Sequence, residues 1–464
     1  MKIELAKKET IHFIGIGGIG MSGLSLIMKA KGFKIQGSDI TINKNIEKLK
    51  RQNIKVFVGH KKQNIRNVTI VVISSAIKKN NPELIEAQRK KLPIIKRGKM
   101  LANLVSLTKN IVVVGSHGKT TTTSLISSIF EKTKLDPTII NGGIINSIKG
   151  TAKLGKSDWS ILEADESDGS FIHISPTYSI ITNIDREHMD FYKSMKYLKG
   201  YFTQFIKKVP SFGKSFICID DKINNELIKV IKNKNFYTYG TKSIANFLIK
   251  NIRQFKDWSK FDLIIRLPNK KKTTIKNFMI PLLGIHNIRN STAAIAVAYT
   301  VGISTSDIKK GLINFKGVQR RFNKIFTYNN VDFYDDYAHH PTEIKSVLAG
   351  VKNVFNNYQK ICIFQPHRIS RLKDLKKEFT YSFRHADIVI LCPIYTAGEK
   401  IKLGFDYTNF AKEIIKNSKV KLFLVNNNFQ LAKFLKQNIY GDKIVIGMGA
   451  GSISNWIKKL PELM

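Results

Sequence analysis

The stretch Asn110-Ile111-Val112-Val113-Val114-Gly115-Ser116-His117-Gly118-Lys119-Thr120-Thr121-Thr122-Thr123 decides the fold. A short β-branched run feeding a glycine–lysine–threonine turn predicts a buried strand, a loop and a helix start. In such a turn, successive backbone N–H groups cradle phosphate, Lys119 neutralises β/γ oxygens and the Thr120 hydroxyl reaches Mg²⁺. Val113 stands where the common G-x-x-x-x-G-K-[ST] loop carries its first glycine, which argues against generic GTPases and motors.

Upstream lies a second loop of the same kind, Gly15-Ile16-Gly17-Gly18-Ile19-Gly20. It follows the apolar run Ile11–Ile14, precedes a helical stretch, and is followed one strand later by Asp39. Bare glycines admit a pyrophosphate to the backbone, and the acid suits a ribose hydroxyl. The ligand is therefore dinucleotide-like, either a nicotinamide cofactor or a UDP-sugar. Downstream, Trp159–Leu162 predicts a strand that delivers Glu163 to the sheet edge beside the lysine loop, where a carboxylate suits Mg²⁺. Ile180–Thr182 ends in Asn183-Ile184-Asp185-Arg186-Glu187-His188-Met189-Asp190. On spacing alone, His188 reads more readily as a surface or core histidine than as a ligand.

Strand candidates alternate with amphipathic helices almost throughout, the pattern of an α/β protein with parallel sheets. Three blocks emerge, with boundaries near Thr108 and Gly317. They are a Rossmann-like N-terminal domain (1–108), a P-loop-type central ATPase domain (109–317) and a Rossmann-like C-terminal domain (318–464). A helical, basic stretch is expected over Lys96–Leu107. Short runs between about Asn235 and Pro281 predict antiparallel strands appended to the central sheet, followed by a helix over Asn290–Thr300.

With 464 residues, 43% hydrophobic and 24% charged, the chain is globular and long enough for several cores. Its cysteines, Cys218, Cys362 and Cys392, are scattered and form no CxxC pair, which excludes a disulfide framework and a zinc site. The net charge of +43 comes from 64 lysines against 13 arginines, without basic blocks longer than Lys270–Lys272. That is a compositional excess; surfaces that read bases or clamp phosphate favour arginine. Met1–Lys8 carries Lys2, Lys7 and Lys8 ahead of the apolar Ile11–Met28, like a signal peptide, yet the glycines and the lack of an A-x-A site point to a strand–turn–helix. A cytoplasmic protein without membrane insertion is expected.

GSHGKTTTT at 115–123, EADESD at 163–168, NIDREHMD at 183–190, GIHNIRN at 284–290, RRF at 320–322 and DDYAHHPTE at 335–343 resemble the Mur ligases, with folylpolyglutamate synthetase as a relative. GIGGIGMSG at 15–23, QPHRISR at 365–371 and MGAGSI at 448–453 are similar to the alanine-adding branch of that family. The resemblance spans the chain in order. It implies UDP-N-acetylmuramate, rather than NAD, at Gly15, Gly17, Gly18, Gly20, Ser38 and Asp39. It implies ATP at Gly115, Ser116, His117, Gly118, Lys119, Thr120 and Thr121, with Asn287 and Asn290 near the adenine and Arg321 (beside Arg320) and Asp336 at phosphate and ribose. Thr120 and Glu163 would hold one Mg²⁺ and His188 a second, while His339, Arg368 and Arg371 would take L-alanine. Lys119, His188 and Arg321 then carry the catalysis. The implied reaction activates the muramate carboxylate as an acyl-phosphate, which the alanine amine attacks; His188 or His339 could accept the amine proton.

Three rivals stand against this. A ligase recycling whole murein peptides onto the same sugar differs only in its amino-substrate pocket. An NAD-dependent oxidoreductase leaves the lysine loop without purpose. A nucleic-acid-binding ATPase leaves the first glycine loop unexplained and lacks aromatic-interleaved basic patches.

Overall fold

A computed structural model describes residues 9–106, 108–131, 133–231, 235–399 and 405–464. The lysines at 2, 7 and 8, and Leu107 at the end of the expected basic helix, lie outside the described residues. Each of the three blocks builds its own sheet. The first is five-stranded and parallel, in the order Lys55–Val58, Lys34–Asp39, Thr10–Ile14, Ile70–Ile73, Ile94–Lys96. The second runs Thr273–Ile280, Ser259–Ile265, Phe247–Gln254, Phe236–Gly240, Lys214–Cys218, Tyr178–Ile181, Lys109–Val114, Trp159–Glu163, Thr138–Ile145, Gly150–Lys153. The third runs Asn323–Tyr328, Val331–Asp336, Lys443–Met448, Gln359–Phe364, Ile388–Leu391, Lys421–Leu424. The architecture is three-domain α/β.

The chain divides into two compact units, Met1–Asn251 with Phe261–Met279 and Arg289–Lys316, and Ile252–Lys260 with Ile280–Ile288 and Gly317–Met464. Within the first unit, one apolar core runs through two sheets: Ile11, Phe13, Leu24, Val112, Val114, Leu162 and Phe202 belong to it together. The helix Ile19–Ala30 lies against the strand Gly150–Lys153 so closely that a Cβ on Gly23 would stand 3.1 Å from the Thr151 hydroxyl oxygen. In the second unit, strand alternation sorts the core. Ile361 and Ile363 enter one layer while Cys362 and Phe364 enter the other, as the two-residue period of a doubly covered sheet requires.

The strands around both loops form where the apolar runs predict. Phe236–Gly240 corrects the expectation of antiparallel additions, because it pairs parallel to Lys214–Cys218. The intervening helix Lys222–Val230 is the crossover that makes parallel pairing possible. Ile94–Lys96 is a parallel edge strand that precedes the helix Arg97–Val105, where a single helical stretch is expected from Lys96. The antiparallel pair Thr138–Ile145 and Gly150–Lys153 carries no sequence expectation at all. The second helix of interest begins at Ile285, a turn earlier than Asn290. All three cysteines are buried free thiols, and no described helix is long and apolar enough to cross a membrane.

Candidate functional site

The lysine loop is held open by its neighbours' backbone and side chains. Ser116 N–H donates to the Asn183 carbonyl (3.0 Å) and His117 N–H to Asn183 Oδ1 (2.8 Å), while the Thr182 hydroxyl donates to the His117 carbonyl (2.7 Å). Gly118 adopts φ +81° immediately before the helix Lys119–Phe130, and a Cβ there would meet Asn290 Oδ1 at 2.7 Å. Glycine is needed on both counts. Asn290 therefore lies against this loop. Asn287 belongs to the second unit, where its amide donates to the Leu283 carbonyl (2.8 Å).

Lys119 sits among carboxylates. Its ammonium donates to the carbonyls of Gly115 (2.6 Å) and Ser116 (3.1 Å) and stands 2.8 Å from Glu166 Oε2. Burial opposes the charge, but Glu166, Glu163 and Asp165 outweigh it and hold the lysine protonated. Glu166 is pushed up to about 8, chiefly by burial, with Lys119 pulling it down and Asp165 and Glu187 pushing it further up. Thr120 Oγ1 donates to Glu163 Oε1 (3.1 Å), whose other oxygen accepts the Gly142 N–H (2.8 Å).

The donor set fits Mg²⁺, a hard cation that takes oxygen ligands. Glu166, Glu187 and His188 each bring one ligand atom within 4.8 Å of the others. His188 takes φ +57° at the start of the short helix Met189–Tyr192 and lies 3.8 Å from Glu166 Oε1. Glu166 and Glu187 are residues that spacing did not single out. Both stand inside the quoted motifs, and the signal that finds them is charge: four acids occupy 163–168.

At the first loop, Gly15 N–H and Ile16 N–H donate to the Ser38 carbonyl (2.9 and 3.0 Å), and Gly17 N–H donates to Asp39 Oδ2 (2.8 Å). A Cβ on Gly17 would collide with Asn43 Nδ2 at 2.8 Å and Asp39 Oδ2 at 2.9 Å. Gly18 caps the helix that Ile19 and Gly20 begin. Ser38 is fully buried, its hydroxyl bonded to Glu83 and facing His60, so its side chain serves the fold and its carbonyl shapes the loop. Asp39 is pinned by the loop it was expected to share with ribose, Oδ1 accepting Ile40 N–H (2.8 Å).

The second unit gathers the third group. Arg320, at φ +60°, donates Nη2 to the Gly449 carbonyl (2.5 Å), and Gln365 Oε1 accepts Ile453 N–H (2.9 Å). The 320–322, 365–371 and 448–453 motifs are thus interlocked. Arg321 and Arg320 both lie over the Tyr337 ring, at 5.3 and 4.8 Å. Asp336 accepts Phe322 N–H (2.8 Å) and Ala338 N–H (2.7 Å); burial pushes it up to about 6 although Arg321 draws it down. His339, Arg368 and Arg371 come together around a residue given no role from sequence, His367. Arg371 Nη1 donates to His367 Nδ1 (3.2 Å), His339 packs edge-on at 5.8 Å, and Tyr395 stacks at 5.6 Å. Burial first, then His339, Arg371 and Arg368, lower His367 to about 3, which keeps it neutral.

Two strand–glycine loop–helix turns on α/β sheets, one with its lysine set among metal-suited acids, define a nucleotide-dependent enzyme of the phosphoryl-transfer kind. Three family models match in order: "Mur ligase family, catalytic domain" over 10–109, "Mur ligase middle domain" over 113–298 and "Mur ligase, glutamate ligase domain" over 320–451. The chain belongs to the Mur ligase family and is an ATP-dependent ligase. It is 72% identical over 464 residues, all of both chains, to the UDP-N-acetylmuramate–L-alanine ligase of Pelagibacter ubique. It is 47% identical to that of Rickettsia canadensis, covering 98% of this chain and 96% of the relative. Among solved structures it is similar to the UDP-N-acetylmuramate–alanine ligase of Thermotoga maritima, at 26% identity and TM-score 0.80 over 98% of each chain. A murein peptide ligase of Psychrobacter arcticus shares the fold at 20% identity and TM-score 0.70, again over 98% of each.

Proposed function

We propose that this ligase joins L-alanine to the muramyl carboxylate of UDP-N-acetylmuramate in peptidoglycan precursor synthesis. The end-to-end 72% identity to the Pelagibacter enzyme carries that reading. In it, residues 1–108 hold the UDP-sugar, 109–317 hold ATP and 318–464 take the amino acid. Lys119 gives up its contacts to the Gly115 and Ser116 carbonyls for the β- and γ-phosphate oxygens, and its charge stabilises the transferring group. Thr120 and Glu163 would hold one magnesium ion and His188 a second, with Glu166 and Glu187 supporting; ions there would supply positive charge to the phosphate oxygens.

The muramate oxygen attacks the γ-phosphorus and ADP leaves. The alanine amine then attacks the acyl carbon and phosphate leaves. Arg368 and Arg371 supply guanidinium forks for the alanine carboxylate. His367, held neutral, adds shape without a competing charge. The murein-peptide alternative has structural relatives at 20% and 25% identity, the second over 67% of this chain, against 72% end to end for the alanine-adding relative. The protein works in the cytoplasm on small molecules and without nucleic acid, its basic charge being spread as lysines.

A coupled phosphate-release assay tests the proposal. Release should require both UDP-N-acetylmuramate and L-alanine, with glycine and serine poorer. Turnover with a murein peptide but not with L-alanine would refute it.

A further inference from the structure

Arg97 opens the helix Arg97–Val105, whose first turn contains no acid. A cation at a helix N-terminus meets the positive end of the helix dipole and is disfavoured there. Its guanidinium also lies against the first turn of a second helix, Ile19–Ala30, which likewise lacks an acid. A Cβ on Gly20 would stand 2.8 Å from Arg97 Nη1, so glycine at 20 is what lets the guanidinium in. Two helix N-termini and one guanidinium thus converge beside the first glycine loop. Among the described residues, the counter-charge to Arg97 is one carboxylate from the central sheet: Nη2 stands 3.1 Å from Asp165 Oδ2.

Asp165 belongs to the other nucleotide site. It lies in the acid run 163–168, between Glu163 and Glu166, and its charge acts on Lys119. Its second oxygen accepts Ser167 N–H (3.0 Å), which fixes the carboxylate's direction. Arg97 and Asp165 therefore form a bridge, one end packed against the helix that follows the first loop and the other in the acids that surround the second. An arginine fork can serve either carboxylate or phosphate, both offering two oxygens to its parallel N–H groups.

We propose that Arg97 is a positioning residue that couples the two nucleotide sites: the diphosphate of the UDP-sugar draws its guanidinium off Asp165, and the released carboxylate strengthens the acid run's hold on magnesium and ATP. This rests on the assignment of the two loops made above. By linkage, the ATP site must then favour the UDP-sugar to the same degree.

The test is calorimetric titration of UDP-N-acetylmuramate into the full chain, with and without saturating magnesium and a non-hydrolysable ATP analogue. In the unaltered protein the analogue should tighten the UDP-sugar by about tenfold, within the usual span of such couplings. Arg97→Ala and Asp165→Asn should each bring that ratio to about one, and the double variant should add nothing. Arg97→Lys should retain part of it. A purely structural role would weaken both ligands alike and leave the ratio intact. Should Arg97→Ala fail to fold, Asp165→Asn carries the test, since its side chain is nearly half exposed. A ratio of one in the unaltered protein, or an unchanged ratio in folded Arg97→Ala or Asp165→Asn, would overturn the inference. Failure of the unaltered protein to bind the UDP-sugar at all would instead strike the function.

Discussion

The two glycine loops share a plan and differ in what surrounds them. The loop at Gly15–Gly20 is closed through its own N–H groups: that of Gly17 is tied to the Asp39 carboxylate, and the Ser38 carbonyl holds those of Gly15 and Ile16. The loop at Gly115–Thr121 is crowded by charge, with Lys119 bonded to Glu166 and Thr120 to Glu163. On the assignment proposed above, one grips a group that does not react. The other must stabilise a phosphoryl group in flight, which takes a cation held ready and acids that take up metal.

Removing that cation should produce the largest effect. Lys119→Ala is expected to lower turnover by roughly two to four decades, about 3–5 kcal/mol of lost transition-state stabilisation, read in the phosphate-release assay. Near-normal turnover in a folded variant would erase the contrast between the loops.

Both loops were legible because strand, glycine pattern and helix start occur in one local stretch. The acids were partly legible: Glu163 follows an apolar run directly, whereas Glu166 and Glu187 reach Lys119 and His188 only through the turns after Trp159–Glu163 and Tyr178–Ile181. For Asp39, spacing gives the acid after the strand but not its bond to Gly17 N–H, which only the folded loop makes. Parallel pairing of Phe236–Gly240 was missed because its short run, without its crossover helix, looks like half of a hairpin. His367 carries no signal of its own in the sequence, as its neutrality comes from burial and from the charges the fold gathers round it.

The second unit sharpens the comparison, because its Arg368 and Arg371 should serve a carboxylate and leave phosphate alone. Arg371→Ala should raise the alanine KM by roughly 30- to 1000-fold, about 2–4 kcal/mol, with the KM values for ATP and the UDP-sugar little changed. A rise in the ATP KM with the alanine KM unmoved would reassign the residue to the phosphate site.

Asp336 gives a smaller effect with a definite sign. Its folded carboxyl is raised to about 6 from the ordinary 3.8, so the folded state keeps a proton that the unfolded chain has released. Its contribution to stability is greatest below the lower value, declines as pH rises, and is lost once pH passes the upper one. The span is about 3 kcal/mol at most. Denaturation at stepped pH should show Asp336→Asn with a flatter decline in that window; parallel curves for variant and unaltered protein would contradict the assignment.

The smallest expected effect is on nucleic acid. Duplex DNA should bind weakly and without sequence preference, and release near physiological salt. Sub-micromolar, sequence-dependent affinity at that salt would mean that the lysine surface has a partner.

The division of labour between the loops is tested most directly by titrating UDP-N-acetylmuramate and magnesium–ADP separately into two variants. Gly17→Ala places a methyl where Asn43 and Asp39 already stand, within 2.8 and 2.9 Å, so it should lose the UDP-sugar and keep ADP. Lys119→Ala should weaken ADP and keep the UDP-sugar. Loss of ADP in Gly17→Ala, or of the UDP-sugar in Lys119→Ala, with both proteins folded, would contradict the assignment of one nucleotide to each loop.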